Sequence, residues 1–495
     1  MRTLALALGA LLTLCPGPAA FSQFDGYVLY NLSNASIARL RDHTTAQVHT
    51  WNCPTNYSYA MALKPNGNIV RTAINNGNQI NSAAVSGRVQ ELNPQGQVVW
   101  DFIYSTADHV THHDICVMPN GNVLLLAYVK RTLAQLQALG YTGNAARYPG
   151  RIIEIQPTGS TAQVVWQWEM QDRFIQYVDP NKPNYMPIAQ NPHRMNINVP
   201  ATGSGIDWFH ENGIDYNPEL DQIVFSSRHV NEIFVIDHST TTAEAAGHTG
   251  GNAGRGGDFL FRWGKPQNYG VNAPQRIPNA VHDAKWVKPG RPMEGWLMFV
   301  NNNIGGNTTA IDAINPERDG YNYPWTPGTV WGPGNYGWRH TCLAYAGGQS
   351  AAEIMPNGNV FVALSGQYMY EVTSGGQVVW QHADGPQKAF RYTCDDPGIS
   401  ALLGADPCGL GTAVEEEAST GISVYPNPTA GVVHIAGIAL GELLSITLLD
   451  ATGRAVLRTA PMTGLDLGDR PDGIYHLMLD LRDGTRLHRT LVLQR

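Results

Sequence analysis

Val98-Val99-Trp100 ends a strand-like run, and five other runs along the chain close in the same way. They are Val48-His49-Thr50-Trp51, Val164-Val165-Trp166, Phe261-Arg262-Trp263, Thr329-Val330-Trp331 and Val378-Val379-Trp380. Successive tryptophans stand 49, 66, 97, 68 and 49 residues apart. A unit of about fifty residues that recurs and absorbs insertions marks a propeller or a solenoid.

Working outward from each tryptophan, the unit has a constant grammar. A strand leads into Pro65-Asn66-Gly67-Asn68, Pro119-Asn120-Gly121-Asn122 or Pro356-Asn357-Gly358-Asn359. Pro presets one turn dihedral and Asn-Gly accepts positive φ, which a tight hairpin needs. In two units the turn becomes Asn217-Pro218-Glu219-Leu220-Asp221 or Lys288-Pro289-Gly290. A third strand echoes as Val89 to Pro94, Ile152 to Pro157 and Tyr370-Glu371-Val372, just ahead of the tag. Four strands per unit and six units predict an all-β chain built on a six-bladed β-propeller. The first unit, Gly26 to Trp51, is too short for four strands, so a strand near Ala389-Phe390-Arg391-Tyr392 is expected to complete it and close the ring. Long insertions at Thr132 to Pro149, Asn181 to Thr202 and Ser239 to Gly257 are expected to cover one face.

The chain of 495 residues carries only 15% charged residues, 52 Gly and 31 Pro, in keeping with many short strands and turns. A net charge of −8 argues against a nucleic-acid partner. Residues 1–22 read as a signal peptide: Arg2, an apolar Leu4 to Leu14, then Ala20-Phe21-Ser22 before Gln23. No later apolar run is long enough to span a bilayer, so no stable membrane insertion is expected. The propeller is assigned to 23–394, a Pro/Gly-rich and acidic linker to 395–421, and a small C-terminal β-sandwich to 422–495. Of the five cysteines after the signal, Cys394 and Cys408 flank a loop and are the expected disulfide, whereas Cys116 reads as a small apolar strand residue.

Three units open their first strand with histidine and an acid: His113-Asp114, His210-Glu211 and His282-Asp283. Each pair precedes the next turn by a similar interval, so the three occupy one phase of the repeat. First strands of propeller blades line the central channel, and equivalent positions converge there. One such histidine would be an ordinary structural residue; three in phase point to a shared funnel. His112 competes with His113 for the third-unit position. Ser226-Ser227-Arg228-His229 ends the strand after His210, and a guanidinium there supplies a fork of donors suited to sulfate, phosphate or carboxylate.

Asp207-Trp208-Phe209-His210-Glu211-Asn212-Gly213-Ile214-Asp215-Tyr216, with the downstream Ser226-Ser227-Arg228-His229, resembles the central motif of bacterial arylsulfate sulfotransferases. His112-His113-Asp114 with its Pro-Asn-Gly-Asn turn, and Val281-His282-Asp283-Ala284, resemble two further motifs of that family. The resemblance spans roughly Ala60 to His382 and implies a six-bladed propeller. It also implies that His282 accepts the sulfuryl group, that His210 and Arg228 bind and polarise it, and that His113 or His112 completes the catalytic set. Asn212 is implied as a further substrate donor, beside His112. The implied reaction moves a sulfuryl group from an aryl sulfate to a phenol through a sulfohistidine in two displacements, with no cofactor and no metal. Two departures stand: no long N-terminal β-domain lies between Gln23 and the first unit, and Cys342 has no close partner to match the family's paired cysteines, which leaves oligomeric state and oxidative maturation open.

The C-terminal landmarks Tyr425-Pro426-Asn427-Pro428, Asp450 with Gly453, Gly473-Ile474-Tyr475 and a short basic last strand resemble the sorting domain of the Bacteroidetes type IX secretion system. This implies the type IX machinery as a partner and a secreted or cell-surface location. Two other readings stay open on the residues alone. Three histidines can hold a catalytic metal in a propeller lyase or hydrolase, and a secreted propeller can be a non-catalytic binding module.

Overall fold

In a computed structural model, residues 23–203, 205, 207–275, 278–405, 407–408, 422–450, 455–482 and 486–495 are described. The expected signal peptide, Gly453 and most of the second half of the expected linker lie outside them. The chain divides into two compact units, Met1–Cys408 and Gly409–Arg495.

Among the described residues, the first unit holds six four-stranded antiparallel sheets, each formed from neighbours in sequence except the first. In that sheet Ala389–Tyr392 pairs with Tyr27–Asn31, so the end of the unit supplies the innermost strand of its beginning. This closure removes the free edge that an open array would leave.

The repeating sequence marks have a structural cause. In three hairpins the first Asn of the turn accepts from the backbone two residues on: Asn66 from Asn68 N at 3.1 Å, Asn120 from Asn122 N at 2.9 Å, and Asn357 from Asn359 N at 3.1 Å. The following Gly67, Gly121 and Gly358 take φ of +81°, +87° and +83°. The last Asn of each turn then donates to a third-strand glutamate: Asn68 to Glu91, Asn122 to Glu154 and Asn359 to Glu371. Each of these glutamates faces a tag tryptophan across the sheet, Glu91↔Trp100, Glu154↔Trp166 and Glu371↔Trp380. Thus turn, echo and tag are three parts of one buried cross-strand arrangement, with apolar burial of the indole supplying the driving force.

One tag behaves differently. Trp331 is buried, but the outer strand of the fifth sheet is Trp338–Thr341. Gly328, Gly332, Pro333 and Gly334 flank Trp331 along the chain, and such residues weaken a strand or cannot donate to it. The insertions contain short helices, Leu133–Ala138 and Thr242–Ala246, each opened by a capping box from Thr132 or Thr241.

Part of the expected linker is ordered. Pro397–Leu403 is a helix capped by Asp396, whose carboxylate accepts from Gly398 N at 2.8 Å. Ile399 is buried with Tyr27, Leu29 and Leu63, and the Cys394–Cys408 disulfide closes the segment. Cys53, Cys116 and Cys342 are free thiols, with Cys116 half-buried in the strand His109–Val117.

The second unit contains a three-stranded and a four-stranded sheet around Val433, Ile435, Leu448, Leu477 and Leu491. Asn427 of the Tyr-Pro-Asn-Pro motif ties its own turn to the last strand, donating to Thr490 O at 2.7 Å and accepting from Val492 N at 2.8 Å. Among the described residues no helix is long and apolar enough to cross a membrane.

Candidate active site

Regular pleating would send neighbouring side chains to opposite faces of an inner strand. Here the pleat is broken. The inner strands of the second to fifth sheets shift register between Tyr57 and Met61, His112 and Ile115, Glu211 and Gly213, and His282 and Lys285. His113, His210 and Asp283 take left-handed φ of 51°, 57° and 55°. A bulge re-aims a side chain, and non-glycine residues hold such φ only where surrounding contacts insist. Gly213 is required at this crowding: a Cβ there would lie 2.8 Å from Ala284 N and Asp283 Cα in the adjoining sheet.

The outcome is one cavity of about 330 Å³ lined by His113, His210, Arg228 and His282, together with Gly348 and Gln349. The His113 and His210 ring centres are 4.6 Å apart, and those of His210 and His282 5.9 Å. Arg228 follows the strand Gln222–Ser227, and its backbone N–H donates to His210 O at 3.0 Å. Its guanidinium has no carboxylate partner among the described residues. A half-buried guanidinium lining a cavity with three imidazoles, without a carboxylate partner among the described residues, has the donor chemistry that suits an anion.

His282 is held by two acceptors. Its Nδ1 lies 2.8 Å from Ala280 O and 2.7 Å from Asn302 Oδ1. The Asn302 amide cannot turn over, because its Nδ2 donates to Ala346 O at 2.9 Å and Gln349 O at 3.1 Å. Two acceptors fix the proton on Nδ1 and leave the Nε2 lone pair on the other side of the ring. Burial drives this imidazole well below its ordinary range, and His210 and Arg228 push it further the same way. His113 is lowered for the same reasons, burial first and then His210.

His210 is oriented by a carboxylate. Its Nδ1 sits 2.9 and 2.8 Å from the two oxygens of Asp207, so Nε2 is the nitrogen left for the cavity. Burial alone would raise Asp207, but its contacts with His210 bring it below the usual carboxylate value. Tyr128 donates to the same carboxylate at 3.0 Å.

Two residues expected at the site lie elsewhere. Asn212 is fully buried and does not line the cavity: it donates to Val281 O at 2.8 Å and accepts from Ser226 Oγ at 2.6 Å, tying two sheets together. His112 turns behind His113, its ring stacked on Tyr128 at 3.6 Å and its Nδ1 2.8 Å from Nδ1 of His113. Burial holds it down to about 3.

The acids after the histidines face away from the cavity. Asp114 and Asp283 each lie 2.6 Å from Nζ of Lys388, a fully buried ammonium reached from the closing strand. Burial opposes this charge, but the two carboxylates outweigh it and raise the lysine above its ordinary value. Glu211 instead packs against Gly150, and burial pushes it up to about 8.

Sequence reading missed Asp207, Asn302, Gly348 and Lys388. Asp207 stood in the quoted motif three residues before His210, a spacing that reaches a ring nitrogen across a turn. Asn302 stands twenty residues after His282 and Lys388 far beyond Asp114; only folding brings these together. Among the described residues, Asp207, His210 and His229 are a group that could hold a metal, with ligand atoms within 4.8 Å of one another. That set is not the trio His113, His210 and His282, and its carboxylate is already engaged by His210 and Tyr128.

The family described as arylsulfotransferase (ASST) matches residues 50–362, more than half of the chain, and a secretion system C-terminal sorting domain matches residues 423–494. No curated protein matches the sequence. Among solved structures, a protein of unknown function from Bacteroides caccae is 11% identical, with 74% of this chain and 98% of that one covered at a TM-score of 0.43. A putative 6-phosphogluconolactonase from Bacteroides fragilis is 10% identical, with 76% and 99% covered at a TM-score of 0.38. BamB from Moraxella catarrhalis is 12% identical, with 73% and 86% covered at a TM-score of 0.30.

Proposed function

Because the chain belongs to the arylsulfotransferase (ASST) family, we propose that it moves a sulfuryl group from an aryl sulfate to a phenol through a sulfohistidine at His282. The observation that carries this reading is the double acceptor on Nδ1 of His282, which reserves Nε2 for attack. In the first displacement the Nε2 lone pair forms a bond to sulfur while the sulfur–aryl oxygen bond breaks, its electron pair leaving on the phenolate. Arg228 holds the sulfuryl oxygens, and His113 and His210 line the rest of the cavity where charge develops. In the second, the acceptor oxygen attacks sulfur, the nitrogen–sulfur bond returns its pair to His282, and the acceptor proton passes to Nε2 of His210. Asp207 stabilises the imidazolium so formed. The chemistry of this set needs no cofactor.

The test is transfer from 4-nitrophenyl sulfate to phenol, read as nitrophenolate release and phenyl sulfate formation. The reading requires transfer by the native protein and its loss in His282→Ala; full activity in that variant would reject it. Metal-dependent chemistry at Asp207, His210 and His229 would instead show activity lost to a chelator and restored by one divalent ion.

The C-terminal sorting domain directs the chain to the type IX secretion machinery and so to the cell surface or the medium. We infer further that residues 1–22 are a cleaved signal, that 23–394 is the catalytic propeller, and that the sorting domain takes no part in the chemistry.

A further inference from the structure

The carboxylate that orients His210 also stands against a second imidazole. His229 Nδ1 lies 3.0 Å from Asp207 O, and a backbone carbonyl only accepts, so the neutral ring carries its proton on Nδ1 and its lone pair on Nε2. That Nε2 is 3.9 Å from Asp207 Oδ2, an acceptor set against an acceptor and beyond hydrogen-bond reach. Oδ2 also lies 2.8 Å from His210 Nδ1, and the two ring centres are 4.8 Å apart. The other oxygen, Oδ1, takes the Tyr128 hydroxyl at 3.0 Å. One carboxylate oxygen and two ring nitrogens therefore bound a single gap on the Nδ1 side of His210, away from the Nε2 left for the cavity.

The frame around this gap is fixed. Phe209 O accepts from His229 N at 3.1 Å and from Ser227 Oγ at 2.7 Å, and His210 O accepts from Arg228 N at 3.0 Å. Gly203 packs against the His229 ring so closely that a Cβ would come 2.2 Å from Nδ1. The side chains of Asp207 and His229 still keep 25% and 16% of their surface exposed, so solvent reaches the group.

Two imidazoles, one carboxylate and an open fourth position are a donor set that zinc accepts. With bonds of about 2.0–2.1 Å, neighbouring ligand atoms of a tetrahedral zinc stand about 3.3 Å apart. The edges here, 2.8 and 3.9 Å, lie on either side of that and reach it with shifts of about half an ångström. We propose that Asp207, His210 and His229 form a divalent-metal site, suited to Zn2+, whose occupation silences His210 as a base. Coordination through Nδ1 moves the His210 proton to Nε2, so the ring stays neutral but turns an N–H toward the cavity. It then has no lone pair for the acceptor proton in the second displacement, while attack by His282 in the first is untouched. The binding claim stands on geometry; the kinetic consequence rests on the sulfuryl-transfer reading above. The ion is an inhibitor in this scheme and takes no part in the reaction.

The experiment uses the full-length chain freed of metal by a chelator and dialysis. Calorimetry with Zn2+ should find one more ion per chain in the native protein than in His229→Gln, and the same extra ion in His282→Ala. His229→Phe, which keeps a ring in place, serves equally should the glutamine variant fail to fold. No binding, or equal binding in the native protein and the His229 variants, overturns the site. In rapid mixing with 4-nitrophenyl sulfate, saturating Zn2+ should leave the first-turnover release of nitrophenolate unchanged and slow discharge by phenol about 10²-fold, as loss of a general base dictates. Without zinc His229→Gln should turn over like the native protein, and added zinc should leave it unaffected. Equal slowing of both steps, or stimulation by zinc, overturns the switch. A protein that transfers nothing rejects the sulfuryl-transfer reading, and the calorimetric comparison then decides the site by itself.

Discussion

Asn302 Oδ1 lies 2.7 Å from Nδ1 of His282, and the same amide is locked from behind by the carbonyls of Ala346 and Gln349. The relationship makes one tautomer of a buried imidazole the rule: proton on Nδ1, lone pair on Nε2. Asn302→Leu removes one acceptor while keeping volume. Transfer from 4-nitrophenyl sulfate should fall about 10²-fold as the ring loses its alignment. Asn302→Asp puts a carboxylate against the ring, so the acid limb of the pH–rate profile should move to higher pH; an unmoved limb contradicts the assignment.

Gly348 borders both groups of the anion site. A Cβ there would meet Arg228 Nη1 at 2.7 Å and His282 Cε1 at 3.7 Å. The nearest obstacle is the tip of a flexible side chain, so Gly348→Ala should displace Arg228 rather than unfold the protein. We expect a loss of transfer approaching that of a missing oxyanion donor, about 10²-fold, with an unchanged urea midpoint. A matching loss of stability would make the glycine a packing residue only.

Lys388 neutralises two carboxylates on strands that also carry His113 and His282. Lys388→Met leaves Asp114 and Asp283 facing one another in a buried space. Removing one partner of a buried ionic cluster costs about 3–5 kcal/mol, which urea unfolding would register. Adding Asp114→Asn should recover part of that loss; no recovery would mean the lysine acts through its hydrocarbon stem.

Buried neutral histidines predict acid sensitivity. His112 is held down to about 3 and His193 to about 4, both chiefly by burial, and His113 and His282 are lowered likewise. In the unfolded chain each titrates near 6.5, so the unfolded state binds more protons as pH falls. Their contribution is complete above about pH 6.5 and is lost on acidification, with a limiting slope of roughly 1.4 kcal/mol per pH unit for each ring. His238 has the opposite sign. Burial opposes its charge, but Asp221 and Glu154 raise it to about 9, so its contribution is present below 6.5 and lost as pH rises through 9. Urea midpoints taken from pH 5 to 9 should therefore peak between these limits, and a flat profile down to pH 5 contradicts the burial of the histidines.

Much of the ring was legible because the repeat is enforced by local chemistry. A Pro-Asn-Gly-Asn turn, a third-strand glutamate and an outer tryptophan answer one another across the sheet, as Asn68, Glu91 and Trp100 do. Trp331 misled because its indole is buried like the others while glycines and proline around it leave the strand to Trp338–Thr341. The helix Pro397–Leu403 was hidden in a composition that also suits linkers, since Asp396 and Pro397 serve equally as loop residues and as a helix start.

Convergence of histidines followed from their phase in the repeat, but their aim did not. Strand alternation cannot distinguish His112 from His113 when a bulge intervenes, and positive φ at His113 and His210 leaves no mark on residue type. Asn212 illustrates the converse. Its place in a motif suggested a ligand contact, whereas its amide stitches Val281 to Ser226. Groups such as Asn302 and Lys388, contributed from distant positions, carry no sequence signal at all.

The most direct measurement is peptide mass spectrometry of the full-length protein quenched seconds after addition of 4-nitrophenyl sulfate without acceptor. The account predicts a peptide containing His282 heavier by one SO3 group, with the added mass discharged by phenol and absent in His282→Ala. A sulfuryl group on another residue, or release of nitrophenolate with no modified peptide at any time, would contradict it.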